Sequence, residues 1–197
     1  MSEPMGLRER KKIQTRQAML KSAYELFEQK GYNQTSIEEI ASRANFAPRT
    51  FFLHFTSKED LLFPQSEELL QRLVETFENR GKTSAVEAFK QWQAEEMTPM
   101  LLENKQKEAL RRRLIPESRQ LQARVQYYVD ETRRLLAAEI AKDRGLSSVD
   151  LTSNIVATAV VSTFSNIYDN GMQQLSQHEI TKSIREALEV LGAVPSV

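Results

Sequence analysis

Apolar residues along this chain return every three or four positions, and no stretch shows the strict alternation of a half-buried strand. That pattern predicts an all-α fold of about nine helices. The first runs from about Leu7 or Arg10 to Lys30, with Met19, Leu20, Ala23, Leu26 and Phe27 on its buried side and Gly31 as a left-handed stop. A shorter stripe of Ile37, Ile40, Ala41 and Ala44 follows Thr35 and Ser36, whose hydroxyls can cap it, with Glu38 and Glu39 in the capping-box pattern. Asn45 and Phe46 form the next turn, and Pro48 suits the first position of a third helix because its missing N–H would be unpaired there anyway.

On a wheel of about 100° per residue, Phe51 and Phe55 share one side of that third helix and must face the core. Arg49, Thr50 and Leu53 then point outward, flanked by Phe52 and His54. The DNA major groove offers what such a face can meet: Arg reaches guanine acceptors, Thr bonds either partner, and Leu touches a thymine methyl. Two helices at this spacing make a helix-turn-helix, so residues 1–57 are expected to form a three-helix DNA-binding domain.

The run ANFAPRTFFLHFTSKEDLL resembles the signature of TetR (tetracycline-repressor) family transcriptional regulators, in which an aromatic pair and a final aromatic precede a Ser-Lys-Glu opening of the next helix. The resemblance extends over residues 13–62. Together with the wheel it nominates Thr35, Ser36, Pro48, Arg49, Thr50, Phe52, Leu53, His54 and Lys58 as DNA-binding residues. Lys58 sits just inside a helix capped by Thr56 and Ser57, where a cation is unfavourable for the helix, and a phosphate contact would explain it. The chain departs from the family at Ala47, where a small hydroxyl residue is common, and at Phe52, where tyrosine is common. With a cap and one phosphate bond missing, backbone N–H groups and His54 are expected to carry more of the anchoring.

Pro64 interrupts the helix that follows, predicting a break near Phe63 and a hinge there, before Leu69, Leu70, Leu73, Val74 and Phe77 resume the stripe. Asn79-Arg80-Gly81-Lys82 reads as a linker. Further helices are expected over Ala85 to Met97, from Thr98-Pro99 onward, from Pro116 to about Arg144, from a cap at Ser147 or Ser148 through Tyr168, and from a capping box of Ser176 and Glu179 to the end. The body from Leu151 to Tyr168 is apolar or small nearly all round, which predicts burial on every side.

Residues 58–197 are expected to form a ligand-binding and dimerisation domain. One helix-turn-helix reads few base pairs, at about 1–3 kcal/mol per good contact, and selection against a genome needs more. Pairing of the last two helices with their copies in a four-helix bundle, which the resemblance also implies, gives a homodimer and a pseudo-palindromic operator of double-stranded DNA. Roughly 130 residues beyond the reader point to a small-molecule pocket, with Phe77, Phe89, Trp92, Tyr127, Tyr128, Thr163 and Asn166 as lining candidates. The arrangement LLFPQSEELL, then RRRL and a Pro-opened helix, resembles the subgroup with an acyl-CoA-like ligand-binding domain, which implies an acyl-CoA or another lipophilic effector.

Composition changes this picture at a few points. A net charge of zero is unusual for a nucleic-acid binder, but Arg8, Arg10, Lys11, Lys12, Arg16 and Lys21 are opposed locally only by Glu9. The absence of cysteine excludes disulfides and thiolate metal sites and fits a reducing compartment. No apolar run approaches the roughly 20 residues of a membrane span and no signal-peptide core is present, so a cytoplasmic protein is expected. His54 and His178 form no helical zinc motif, and no glycine cluster can cradle phosphate, so no enzyme activity, cofactor or metal is expected. The expected function is a ligand-responsive TetR-type repressor. The alternative, a helical interaction or adaptor protein without DNA binding, suits the neutral charge but leaves Arg49, Thr50 and Leu53 without a role.

Overall fold

The computed structural model describes residues 6–103, 105–171, 182 and 186, with backbone alone at residues 102 and 166–171. Among these residues there are helices and turns and no strand. Their packing forms two units, one from Met1–Pro64 with Lys105–Val125 and the other from Gln65–Asn104 with Gln126–Val197. The chain therefore contributes to the first unit twice, where the sequence suggests a single cut after Ser57.

In the first unit, α1 (Leu7–Lys30) is exposed and basic at its start and buries Met19, Ala23, Leu26 and Phe27 further on. It stops at Gly31, whose φ of 81° and extended ψ of 166° lie outside the left-handed helical cap expected but are still open chiefly to glycine. Ser36 caps α2 (Ile37–Arg43) with its hydroxyl, which accepts from Glu39 N–H, while Glu39 accepts from Ser36 N–H at 2.9 Å. A hydrogen bond from Lys30, with the backbone bond from Ser36, holds the Glu39 carboxyl down at about 2. Two crossed bonds end α2, from Phe46 N–H to Ala41 O (2.9 Å) and from Asn45 N–H to Ser42 O (3.0 Å). They require Asn45 at φ 63°, the one positive φ outside glycine among the described residues. This turn aims α3 (Pro48–Phe51), which tightens through His54 before Phe55 returns to the core.

The helix expected after Ser57 is a single 3₁₀ turn at Glu59–Leu61. Asp60 accounts for it: its carboxylate accepts from the N–H groups of Thr56 (2.8 Å) and Ser57 (3.1 Å), and Leu61, Leu62 and Phe63 then turn inward. The chain returns to this unit as α7 (Lys105–Leu114), a 3₁₀ turn holding Pro116, and the start of α8 (Arg119–Asp143). Pro116 thus does not open the long helix. Ser118 does, its hydroxyl accepting from Leu121 N–H at 3.4 Å.

The second unit holds α4 (Ser66–Asn79), α5 (Ala85–Trp92), a π-helical turn at Gln93–Met97, α6 (Thr98–Glu103), the rest of α8, and α9 (Leu151–Gly171). The π turn runs directly into α6, whose second residue, Pro99, has no N–H to give the helix. The core gathers Leu73, Phe77, Phe89 and Trp92 with Leu136, Ala137, Ala157, Val160 and Phe164, and Phe89 meets Phe164 edge-on at 5.2 Å. The stretch around Arg80 is a pinned turn rather than a loose linker. Arg80 pairs with Glu139 (3.2 Å) and Asp143 (2.6 Å) of α8, and Asp143 also accepts from Ala85 N–H at the start of α5.

Asp150, not Ser147 or Ser148, caps α9, accepting from Ser153 N–H at 2.9 Å. That hydrogen bonding from Ser153, side chain and backbone, holds the Asp150 carboxyl well below the usual range. The expectation that α9 is buried all round fails: Leu151 is 75% exposed and Ile155 58%. The last helix, with the capping box at Ser176 and Glu179, lies outside the described residues.

Candidate nucleic-acid interface

Phe51 and Phe55 fix the rotation of α3. They are 0% and 5% exposed, with ring centroids 5.2 Å apart, and the Arg16 guanidinium lies 5.0 Å above the Phe55 ring while donating to Pro64 O at 2.7 Å. Arg16 is therefore a clamp on the core side of this unit. With the phenylalanines held inside, Pro48, Arg49, Phe52 and Leu53 stand exposed, and Thr50 and His54 are half-buried at the edges of the same face. Arg8, Arg10, Lys11 and Lys12 add exposed cations from the start of α1. His54 Nδ1 is buried without a hydrogen-bond partner among the described residues, and burial first, then Lys12 and Arg16, hold its pKa down.

Two nominated residues are not presented to a ligand. Thr35 is 1% exposed, and its hydroxyl donates to Gly31 O at 2.9 Å, closing the turn between α1 and α2. Lys58 turns inward: its ammonium donates to Tyr32 O (2.9 Å) and Thr35 O (2.8 Å) and lies 4.0 Å from the centre of the Tyr32 ring. Burial lowers its pKa. The cation that looked misplaced at a helix start satisfies carbonyls across the unit instead. Ser36 is half-buried, with its hydroxyl engaged in the α2 cap.

Behind the reading face lies a polar lattice that local sequence signals do not reveal. Tyr32 donates its hydroxyl to Glu59 at 2.7 Å, and burial, then that bond, raise the tyrosine pKa. Arg124, from the start of α8, bonds Asp60 and donates to Ser57 Oγ at 3.2 Å, gripping the loop that follows Phe55. On α7, Glu108 is 7% exposed and is held by Arg111 at 2.6 and 2.7 Å and by Arg112 at 2.8 Å. Burial pushes the Glu108 pKa up, but the two arginines outweigh it and leave it lowered. Arg111 also covers the Phe63 ring at 5.3 Å.

The nominated ligand-lining residues fall in different settings. Phe77, Phe89 and Trp92 are buried in the core of the second unit, where Trp92 Nε1 has no hydrogen-bond partner among the described residues. Tyr127 is 50% exposed and stands edge-on to Tyr128, while Thr163 donates to Ala159 O at 2.7 Å. The side chain of Asn166 lies outside the described residues. A cleft of about 460 Å³ has Val74, Phe77 and Leu135 on its walls and Glu78, Arg80, Glu139 and Lys142 around them. Among the described residues there is no cluster of metal-binding side chains and no helix long and apolar enough to cross a membrane.

Comparison with known proteins adds to this geometry. Residues 19–63 match the family described as bacterial regulatory proteins, tetR family, and residues 83–195 match the MftR C-terminal domain. The HTH-type transcriptional regulator TcmR of Streptomyces glaucescens is 48% identical over 56 residues, 28% of this chain and 25% of that protein. YerO of Bacillus subtilis, an uncharacterized HTH-type transcriptional regulator, is 24% identical over 184 residues, 89% of this chain and 64% of that protein. The chain thus spans a quarter of the first and under two thirds of the second. NalD of Pseudomonas aeruginosa, the secondary repressor of the MexAB-OprM efflux pump, shares the fold at a TM-score of 0.66 and 20% identity, covering 89% of this chain and 96% of that one. Thermus thermophilus FadR, solved with lauroyl-CoA, does so at 0.58 and 19%, covering 92% and 95%.

Proposed function

Because the chain belongs to the TetR family of bacterial regulatory proteins, we propose that it is a ligand-responsive repressor that binds a pseudo-palindromic operator as a homodimer and is released by a lipophilic effector. The observation that carries this reading is the orientation of α3, with Phe51 and Phe55 sealed inside and Arg49 and Leu53 standing free. Ser36, Pro48, Arg49, Thr50, Phe52, Leu53 and His54 make the DNA contacts in this account, and the cations at the start of α1 hold the phosphates. The first unit reads DNA, and the second binds effector and partner.

Support for the homodimer comes from α9, which leaves Leu151, Ile155 and Val156 exposed while Ala157, Val160, Val161 and Phe164 pack inward. Support for an acyl-CoA or a similar effector comes from the fold shared with FadR and from the aromatic core around the unpaired Trp92 N–H. Effector and DNA each favour one arrangement of the paired readers, so the effector weakens DNA binding by its differential affinity alone. The break at Pro64, where the first unit leaves off, is the proposed hinge.

Selection of bound sequences from a random DNA pool, followed by gel shifts over a salt series, tests the reading. An enriched two-fold site is expected, with affinity falling steeply as salt rises. Arg49→Ala is expected to weaken that site by roughly 5- to 150-fold, equivalent to about 1–3 kcal/mol. Lauroyl-CoA should release the selected duplex, and failure to do so removes the acyl-CoA assignment. No enriched site and no salt-sensitive binding would leave the helical adaptor as the account.

A further inference from the structure

The end of the reading element carries two large apolar side chains side by side, Phe52 at 60% exposure and Leu53 at 75%. A single exposed leucine is ordinary on a protein surface. Two adjacent ones, on an element whose other outward groups are a guanidinium and a hydroxyl, call for a partner with apolar points set in a polar surface. Neither side chain completes the core: Phe51 and Phe55 fill it, and Phe52 only meets the edge of Phe51 at 5.3 Å. Phe52 has no hydroxyl, so it cannot bond a phosphate. Exposed Arg49 on the same element, with exposed Lys11 and Lys12 at the start of α1, calls for a polyanion. The apolar points that the edge of a duplex offers in its major groove are the 5-methyl groups of thymine.

We propose that Phe52 and Leu53 read a pair of neighbouring thymine methyls, making this protein selective for a half-site in which a guanine contacted by Arg49 is followed within two or three base pairs by thymines. The spacing follows from the helix. The four steps from Arg49 to Leu53, along a helix that tightens after Phe51, rise about 6–8 Å, two to three base-pair steps of roughly 3.4 Å. The proposal rests on the DNA-binding reading and adds to it the chemistry of the site that is read.

The experiment replaces thymines of the selected operator, one at a time, with deoxyuridine, which removes the methyl and leaves base pairing intact. Burying one methyl is worth about a fourfold change in affinity, from ~0.8 kcal/mol per apolar carbon. The full-length protein is therefore expected to lose about fourfold at each of two positions in a half-site and roughly 15-fold at both. In Leu53→Ala and Phe52→Ala, whose exposed side chains leave the core untouched, the corresponding thymine and deoxyuridine operators should bind alike. If uridine is tolerated at every position while the operator is still bound, methyl reading is overturned and DNA binding stands. Full methyl dependence retained in both variants would overturn it equally, because the methyls would then be read by other side chains. If no operator can be selected, the DNA-binding reading itself fails, a different result from either of these.

Discussion

Replacing Glu108 with alanine removes an acceptor that Arg111 and Arg112 share. Three hydrogen bonds of 2.6 to 2.8 Å converge on a carboxylate whose side chain is 8% exposed, while the two arginine side chains keep 23% and 15% of theirs. Breaking a fully buried pair costs about 3–5 kcal/mol because a charge is stranded. Here both guanidinium groups can regain some water, so the loss should fall to about 2–3 kcal/mol. For a chain of this size that is a fall in Tm of roughly 5–10 °C. Glu108→Gln, which keeps the volume and one acceptor, should lose about half as much. The sign of the pH dependence is fixed as well. The carboxyl has a lowered pKa in the folded state, so its contribution is complete above the unfolded value of about 4.3 and fades as pH falls below it. Thermal melts of wild type and Glu108→Gln should therefore differ most near neutrality and converge below about pH 4. An alanine variant within about 0.5 kcal/mol of wild type, or a gap that does not narrow in acid, would show that the Glu108 carboxylate does not hold this unit together.

Three further outcomes follow. Lys58→Met should destabilise the protein by about 1–3 kcal/mol without changing the salt dependence of operator binding. A slope reduced by about one charge would show that Lys58 grips a phosphate after all. Because the His54 pKa is lowered in the folded protein, wild type should lose stability as pH falls below about 6.5. Melts of His54→Gln should lack that part of the loss, and parallel curves would dismiss it. Ile155→Glu should give a helical monomer by analytical ultracentrifugation, and a surviving dimer would remove α9 from the interface.

What could be read from the chain was what its near neighbours decide. Ser36 and Glu39, Asn45 at the turn, Pro48 at the helix start and the Phe51/Phe55 spacing act within a few residues, and the structure places them as the pattern implies. The reversals come from distant partners. Lys58 meets carbonyls 23 and 26 residues away, Arg124 meets Ser57 across 67, and Arg80 meets Glu139 across 59. No periodicity encodes those meetings. Local competition misled in a different way at Asp150, where a carboxylate took the cap from two serines just before it. At α9, apolar composition indicated burial, yet Leu151 and Ile155 stand exposed, because composition does not say which face of a helix meets the core.

The return of Lys105–Val125 to the first unit has a practical consequence for anyone who would transplant that unit. A graft severed after Pro64 would strip Phe63 of its Arg111 lid, free Ser57 and Asp60 from Arg124, and leave the Asn33 side chain without the Glu117 carbonyl it donates to. A chimera meant to keep the first unit intact must carry the second crossing too, with seams at 64/65, 104/105 and 125/126. Moving the first unit into another protein is a matter of splicing two discontinuous strips rather than one.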